Sequence, residues 1–239
     1  MASAQARTVQ DTYLNLLVVI LVTFIAVPYI VPRVLSLFAA PITNLYRVIT
    51  LLMQQLLWLV IVRWHLVRNL NVSLGDFGSF NAAIKRFPRL IRATGSLFVW
   101  SLLGSLFAVV VATLVLGMDK TSLLLRRENA ILMGLFRDET PFISFLLFLS
   151  STAIGPLVEE LLCRGYFHGM LKAKLGERAV WISSLLFTLP HLYIIRSLPI
   201  YILGVKLTRE YERHGNLWDS IIVHGLYNGV MAGLYILGR

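Results

Sequence analysis

The sequence predicts an all-α, polytopic membrane bundle of about seven transmembrane helices (six to eight), with amphipathic helices at the interface. Three observations carry this prediction. Of 239 residues, 57% are hydrophobic and only 14% charged, with a mean hydropathy of +0.75, whereas soluble domains have about 45–50% apolar and about 25% charged residues. The apolar residues fall in charge-free runs near the roughly 20 residues that cross a bilayer. The positive charges collect between those runs, as Lys and Arg do in cytoplasmic loops.

Thr12 to Pro32 carries no charge, and neither does Ala93 to Met118; both are long enough to span. The first is too long and too poorly terminated for a cleaved signal peptide. Val48 to Val62 is short, but Arg47 and Arg63 flank it and can snorkel to the headgroups. Asn71 to Arg92 mixes Gly, Asp, Phe and basic residues and reads as a cytoplasmic loop with an interfacial helix. Leu123 to Phe136 is amphipathic and is expected along the membrane surface. Pro141 to Val158 and Ala179 to Ile195 are near spanning length, with a kink expected at Pro190. Ser197 to Val205 is too short alone, and Asn216 to Gly238 is long but contains Asp219 and His224.

The net charge is +10 and the pI about 10.1. Because the positives lie between apolar spans, they are read as topology signals rather than a nucleic-acid surface. Seven crossings with a cytoplasmic N-terminus put Arg63 to Arg92, Lys172 to Arg178 and Lys206 to Arg213 inside, and the Lys120–Arg137 loop outside. A single cysteine, Cys163, permits no intrachain disulfide. With no repeat or soluble appendage, residues 1–239 read as one integral, multi-pass membrane domain. Its location would be the cell membrane of a prokaryote or an endomembrane of a eukaryote.

Charged groups at membrane depth are costly and usually face a bundle interior or a wet cavity. Three sets stand out. In VEELLCRGYFHG, Glu160 and Arg164 are four apart and share a helix face. Glu159 points about 100° away, without that partner. Neighbouring carboxylates in different environments separate their roles, which makes Glu159 the freer candidate base; the bland alternative is an acidic start to an interfacial helix. In FTLPHL, Phe187 and His191 share a face, and a lone histidine of this kind is often only a satisfied buried group. In HGLYNG, His224 and Asn228 are four apart; they serve either as a polar site or as interhelical glue. Together the sets fit hydrolysis: a Glu/His pair to activate water and a His/Asn pair to stabilise an oxyanion.

These three stretches, EELLCR (Glu159 to Arg164), FTLPH (Phe187 to His191) and HGLYN (His224 to Asn228), resemble the EExxxR, FxxxH and HxxxN/D motifs of the CPBP, or Abi, family. That family includes the type II CAAX prenyl endopeptidases. RGYF after the first motif and GNLWDSIIVH before the third look similar too, so the resemblance covers residues 150–234. It implies an intramembrane glutamate-type endopeptidase acting on a membrane-associated or prenylated substrate. By position, Glu159 and His191 would activate water, His224 and Asn228 would form the oxyanion site, and Glu160 and Arg164 would support the geometry. Cys163 departs from the family, where an aromatic residue commonly precedes the Arg; the thiol is read as a small apolar filler.

Other readings stay open on the sequence. Glu159, His191 and His224 could converge as a His₂Glu metal site, although no HExxH occurs and the expectation is no metal and no cofactor. A non-catalytic immunity or scaffold protein would keep the fold without using the site, and intramembrane Glu and His also build proton relays in transporters. Expected partners are membrane lipids and a membrane-anchored or lipidated peptide. His168 is read as a supporting or headgroup-level residue, and His65 and His214 as surface.

Overall fold

The computed structural model describes residues 30, 33–34, 44–69, 74–136 and 141–237, and all regular structure among them is helical. The chain divides into two compact units, Met1–Ser73 and Leu74–Arg239. The first contributes α1 (Asn44–Asn69). The second holds α2 (Phe80–Lys85), α3 (Phe87–Leu116), α4 (Met118–Phe136), α5 (Pro141–Leu175), α6 (Arg178–Thr188), α7 (Ser197–His214) and α8 (Leu217–Leu237). All three motifs lie in this second unit, on α5, at the end of α6 and on α8.

Among the described residues, α3 and α5 are long and apolar enough to cross a membrane. The apolar Val48–Ile61 stretch of α1 is shorter. The expected Thr12–Pro32 span lies outside the described residues apart from Ile30, and so does the His65 side chain. By length and composition, then, two of the seven expected crossings are present as single helices.

The α3 helix has the inverted polarity that a lipid-facing helix needs. Val99, Leu102, Leu106, Phe107 and Leu114 are exposed, while Thr94, Ser101 and Gly104 are buried. Thr94 meets its own need by donating Oγ1–H to the Leu90 carbonyl at 2.9 Å. Small residues at the buried face allow close approach: a Cβ on Gly104 would lie 2.4 Å from Ile202 Cδ1 of α7.

The α5 backbone widens into π-helical turns twice, at Ser150–Ile154 and Leu161–His168. Such turns gather at functional sites. Pro156 supplies a cause for the first, because it has no N–H to offer the Ser151 or Thr152 carbonyl. Two residues of α8 answer the deficit. Asn228 donates Nδ2–H to the Ser151 carbonyl at 2.9 Å. Gly225 brings the α8 backbone so close to Thr152 that a Cβ would sit 2.4 Å from its carbonyl oxygen. Gly225→Ala is therefore expected to cost about 1–3 kcal/mol through overpacking; a thermal unfolding midpoint equal to wild type in the same detergent would contradict the contact.

The sequence predicts a near-spanning Ala179–Ile195 segment bent at Pro190. Instead α6 ends at Thr188, Pro190 sits in a single 3₁₀ turn (Leu189–His191), and Leu192 adopts a left-handed conformation with φ 54°. Pro190 lacks the N–H that would continue the α-helical ladder, so the chain turns back into α7 rather than bending. Ser197, expected to begin a segment too short to span, starts an 18-residue helix.

At the α5–α6 connection, charges interlock. Lys172 donates to Glu177 at 2.7 Å and to Glu212 at 2.5 Å, and Arg209 donates to Glu177 at 2.7 Å. His168 Nε2 lies 3.2 Å from Glu212, which places this histidine at the charged end of the bundle. Hydrogen bonds from Lys172 and Arg209 pull the Glu177 carboxyl from 4.5 to about 2. A lowered carboxylate stabilises the fold above its unfolded value and loses that contribution as pH falls through its folded value. The Glu177 contribution is thus present above about pH 4.5 and lost toward about pH 2. Glu177→Gln should flatten the stability profile across that window; an unchanged acid limb in a pH-dependent melting series would contradict it.

Candidate active site

The first motif forms the ion pair that its spacing predicts. Arg164 Nη1 donates to Glu160 Oε1 at 2.7 Å, with side-chain exposures of 1% and 0%. Such a pair is tolerable only where further hydrogen bonds support it, and each Arg164 nitrogen has an acceptor, although Glu160 Oε2 is buried without a donor among the described residues. Arg164 Nη2 donates to the Gly204 carbonyl at 2.8 Å, Nε to Thr208 Oγ1 at 3.3 Å, and Cζ stacks 4.7 Å from the Phe187 ring centroid. Gly204 makes this reach available: a Cβ there would meet Ser184 Cβ at 3.0 Å and Phe187 Cδ1 at 3.3 Å. Arg164 on α5 is in this way the hub to which α6 and α7 are fastened.

The third motif joins the first through His224, which is buried on α8. Its Nδ1 lies 2.9 Å from Glu160 Oε1. A carboxylate accepts, so Nδ1 carries the proton and the ring orientation is fixed. Nε2 then faces Glu159 Oε2 at 3.8 Å, too long for a direct hydrogen bond. The two adjacent glutamates therefore sit on opposite sides of one imidazole. Glu160 is sealed and neutralised, whereas Glu159 keeps 30% side-chain exposure and makes no side-chain hydrogen bond among the described residues.

The second motif approaches through Phe187. His191 Nδ1 donates to the Phe187 carbonyl at 3.0 Å, which leaves Nε2 as the nitrogen with a free lone pair. The Phe187 ring lies 5.2 Å from the His191 ring and 5.8 Å from the His224 ring, so it touches both histidines. Among the described residues no hydrogen bond joins His191 to Glu159. Asn228 uses one amide hydrogen on Ser151, as above, and retains a second. Cys163 is buried, consistent with packing.

An open, mainly apolar groove of about 470 Å³ runs beside this cluster. Phe80 of α2, Thr152 and Leu157 of α5, and Trp218, Ile221 and Gly225 of α8 are among its lining residues. It reaches the residue next to His224 without entering the charged pocket itself.

Sequence reasoning missed a second buried charge cluster. Asp219, at the start of α8, has 0% exposure and accepts from Arg86 Nε and Nη2 at 3.1 and 2.9 Å and from Arg89 Nη2 at 3.2 Å. Arg89 also pairs with Glu210, and His214 Nδ1 lies 3.2 Å from Asp219. The signal available was Asp219 itself, an acid within an apolar run for which positives only in distant sequence could compensate. Glu210, His214 and Asp219 place ligand-type atoms within 4.8 Å of one another. Guanidinium groups already occupy those oxygens, so the donor set does not suit a metal ion. Glu159, His191 and His224 form no comparably tight group among the described residues.

A buried carboxylate–arginine pair, a histidine oriented by it and a second, accessible carboxylate form a polar cluster, the candidate active site, inside an apolar helical bundle. Comparison with known proteins shows what this region is similar to. Residues 141–230 match the family model described as type II CAAX prenyl endopeptidase Rce1-like. The family resemblance carried by the three motifs is thereby shown over the region that contains them all, and it is a resemblance to membrane-embedded proteases. The chain is also 28% identical over 183 residues, 76% of its length, to UPF0177 protein YbdI of Lactococcus lactis subsp. lactis (strain IL1403), of which the match covers 94%. No solved structure gives a significant match.

Proposed function

We propose that this chain is an intramembrane glutamate-type endopeptidase that hydrolyses a peptide bond of a membrane-associated or prenylated substrate. The observation that carries the reading is the division between the two adjacent glutamates around His224. Glu160 is committed to Arg164 and His224. Glu159 is accessible, free of hydrogen bonds among the described residues and directed at the same imidazole.

In this reading Glu159 accepts the proton of a water molecule, with the free Nε2 of His191 as second acceptor. The resulting hydroxide attacks the scissile carbonyl, and the remaining Asn228 amide hydrogen faces the developing oxyanion, joined by His224 where its Nε2 carries a proton in addition to the Nδ1–H held by Glu160. Donors fixed before reaction are what such a site requires, and Glu160 and Arg164 fix His224. The proton held by Glu159 then passes to the leaving amine. A second arrangement is favoured by the 3.8 Å between His224 Nε2 and Glu159: His224 rather than His191 shares the water. The apolar groove beside α8 suits a lipid-like substituent on the substrate, which supports a lipidated class without selecting one.

The reading is tested with purified full-length protein in nanodiscs and a panel of prenylated and unprenylated membrane-anchored peptides. Glu159→Ala, His191→Gln and His224→Gln should each lower cleavage by about 10²–10⁴-fold, and chelator-treated protein should keep its activity. Intact proteolysis in all three variants would remove the assignment, and loss on chelation restored by a divalent metal would replace it with metal catalysis.

A further inference from the structure

The turn that carries His191 is packed at Ile195, which is buried, but is otherwise largely open. Leu192 is 88% exposed in a left-handed conformation, and Ile194 is 64% exposed. What holds it is a carboxylate from elsewhere. Glu128 of α4, buried and 66–68 residues away in sequence, accepts three successive backbone N–H groups: Ile194 at 2.7 Å and Ile195 at 2.9 Å on Oε1, and Arg196 at 3.1 Å on Oε2. These amides lead into α7, which begins at Ser197. A negative group there meets both the unpaired amides and the positive end of the helix. Beside it, Asn129 accepts a hydrogen bond from Arg196.

We propose that Glu128 is a positioning residue for His191. By gathering the amides of residues 194–196 it sets the α6–α7 turn, and with it the angle at which His191 meets the site. The proposal rests on the reading of His191 as part of a peptidase site. No motif contains Glu128, yet it is the side chain that bonds the most backbone amides of this turn among the described residues; the histidine's own 3₁₀ turn adds the Leu192 N–H to Leu189 carbonyl bond at 3.2 Å. Small misplacements of a catalytic group cost disproportionately in rate.

The test uses the full chain in nanodiscs with ¹⁵N-labelled histidine, the His191 signals being assigned by their loss in His191→Gln. Wild type should show His191 as one tautomer with the proton on Nδ1, as its bond to the Phe187 carbonyl requires. Glu128→Ala should convert this to an averaged pattern, while His168, held by Ser183 and Glu212, keeps its wild-type signals and reports an intact bundle. Glu128→Gln retains an oxygen acceptor for two of the amides and should recover much of the wild-type pattern. In cleavage, Glu128→Ala should lower kcat by about 10²-fold with KM changed by less than about twofold. A wild-type His191 pattern in Glu128→Ala overturns the proposal, as does parallel loss of the His168 signals in both Glu128 variants, which marks a purely structural role. If the His191 pattern shifts as expected but wild type cleaves nothing, positioning stands and the peptidase reading fails.

Discussion

Glu159→Gln should abolish peptide-bond cleavage while leaving the bundle folded. Glutamine matches the carboxylate in size but cannot take a proton, and loss of a positioned general base costs about 10²–10⁴-fold in rate. The fold should not register the change, because Glu159 is partly exposed and no side-chain hydrogen bond among the described residues depends on it. Glu160→Gln provides the contrast. It removes the charge opposite Arg164 and weakens the acceptor at His224 Nδ1, so both activity and melting temperature should fall. Two adjacent glutamates that behaved alike, both losing stability or both neutral for catalysis, would contradict the division of roles.

The second large effect is expected at Arg164. Arg164→Leu leaves the Glu160 carboxylate sealed at 0% exposure without its countercharge, a change that typically costs about 3–5 kcal/mol. It also removes the Arg164 contacts to the Gly204 carbonyl of α7, which keeps its bond from Thr208, and to the Phe187 face of α6. Arg164→Lys should not rescue it, because an ammonium cannot reach three acceptors in a plane as a guanidinium does. The paired change Glu160→Gln with Arg164→Leu should be milder than the two single losses added together, since no lone charge remains buried. Strict additivity in a denaturation-based cycle would show that the two side chains are not coupled as the 2.7 Å contact requires.

Much of this site was legible because its determinants are local. A four-residue spacing placed Arg164 beside Glu160, and the same spacing put His191 under Phe187, where its Nδ1 now reaches the Phe187 carbonyl. The isolation of Glu159 followed from its neighbour's commitment. Three other features depend on groups far apart in the chain and leave no periodic trace. His224 touches glutamates 64 residues away. Glu128 serves amides 66 residues on, although its segment reads only as an amphipathic surface helix. The sequence reads Arg86 and Arg89 as positives of a cytoplasmic loop. The structure commits both to Asp219, so part of the +10 charge neutralises a buried acid. Asn228 bonds Ser151 between helices, and its second amide hydrogen is the one the proposed oxyanion role would use.

The backbone of α5 illustrates a different limit. A run of apolar residues after Pro141 announces a span, but not that it widens twice on either side of Glu159 and Glu160. The missing N–H of Pro156 accounts for the first widening and was visible in the sequence. Its consequence was not, because the compensating groups, Gly225 and Asn228, lie on α8.

The central claim is that Glu159 attacks peptide bonds through water. Its most direct test is comparative mass spectrometry of membrane-protein termini from cells expressing wild-type or Glu159→Ala protein at equal levels. The account predicts at least one new terminus present with wild type and absent with Glu159→Ala. Identical terminal inventories, with both proteins folded and membrane-inserted, would contradict it and leave a helical bundle whose buried charges serve the fold alone.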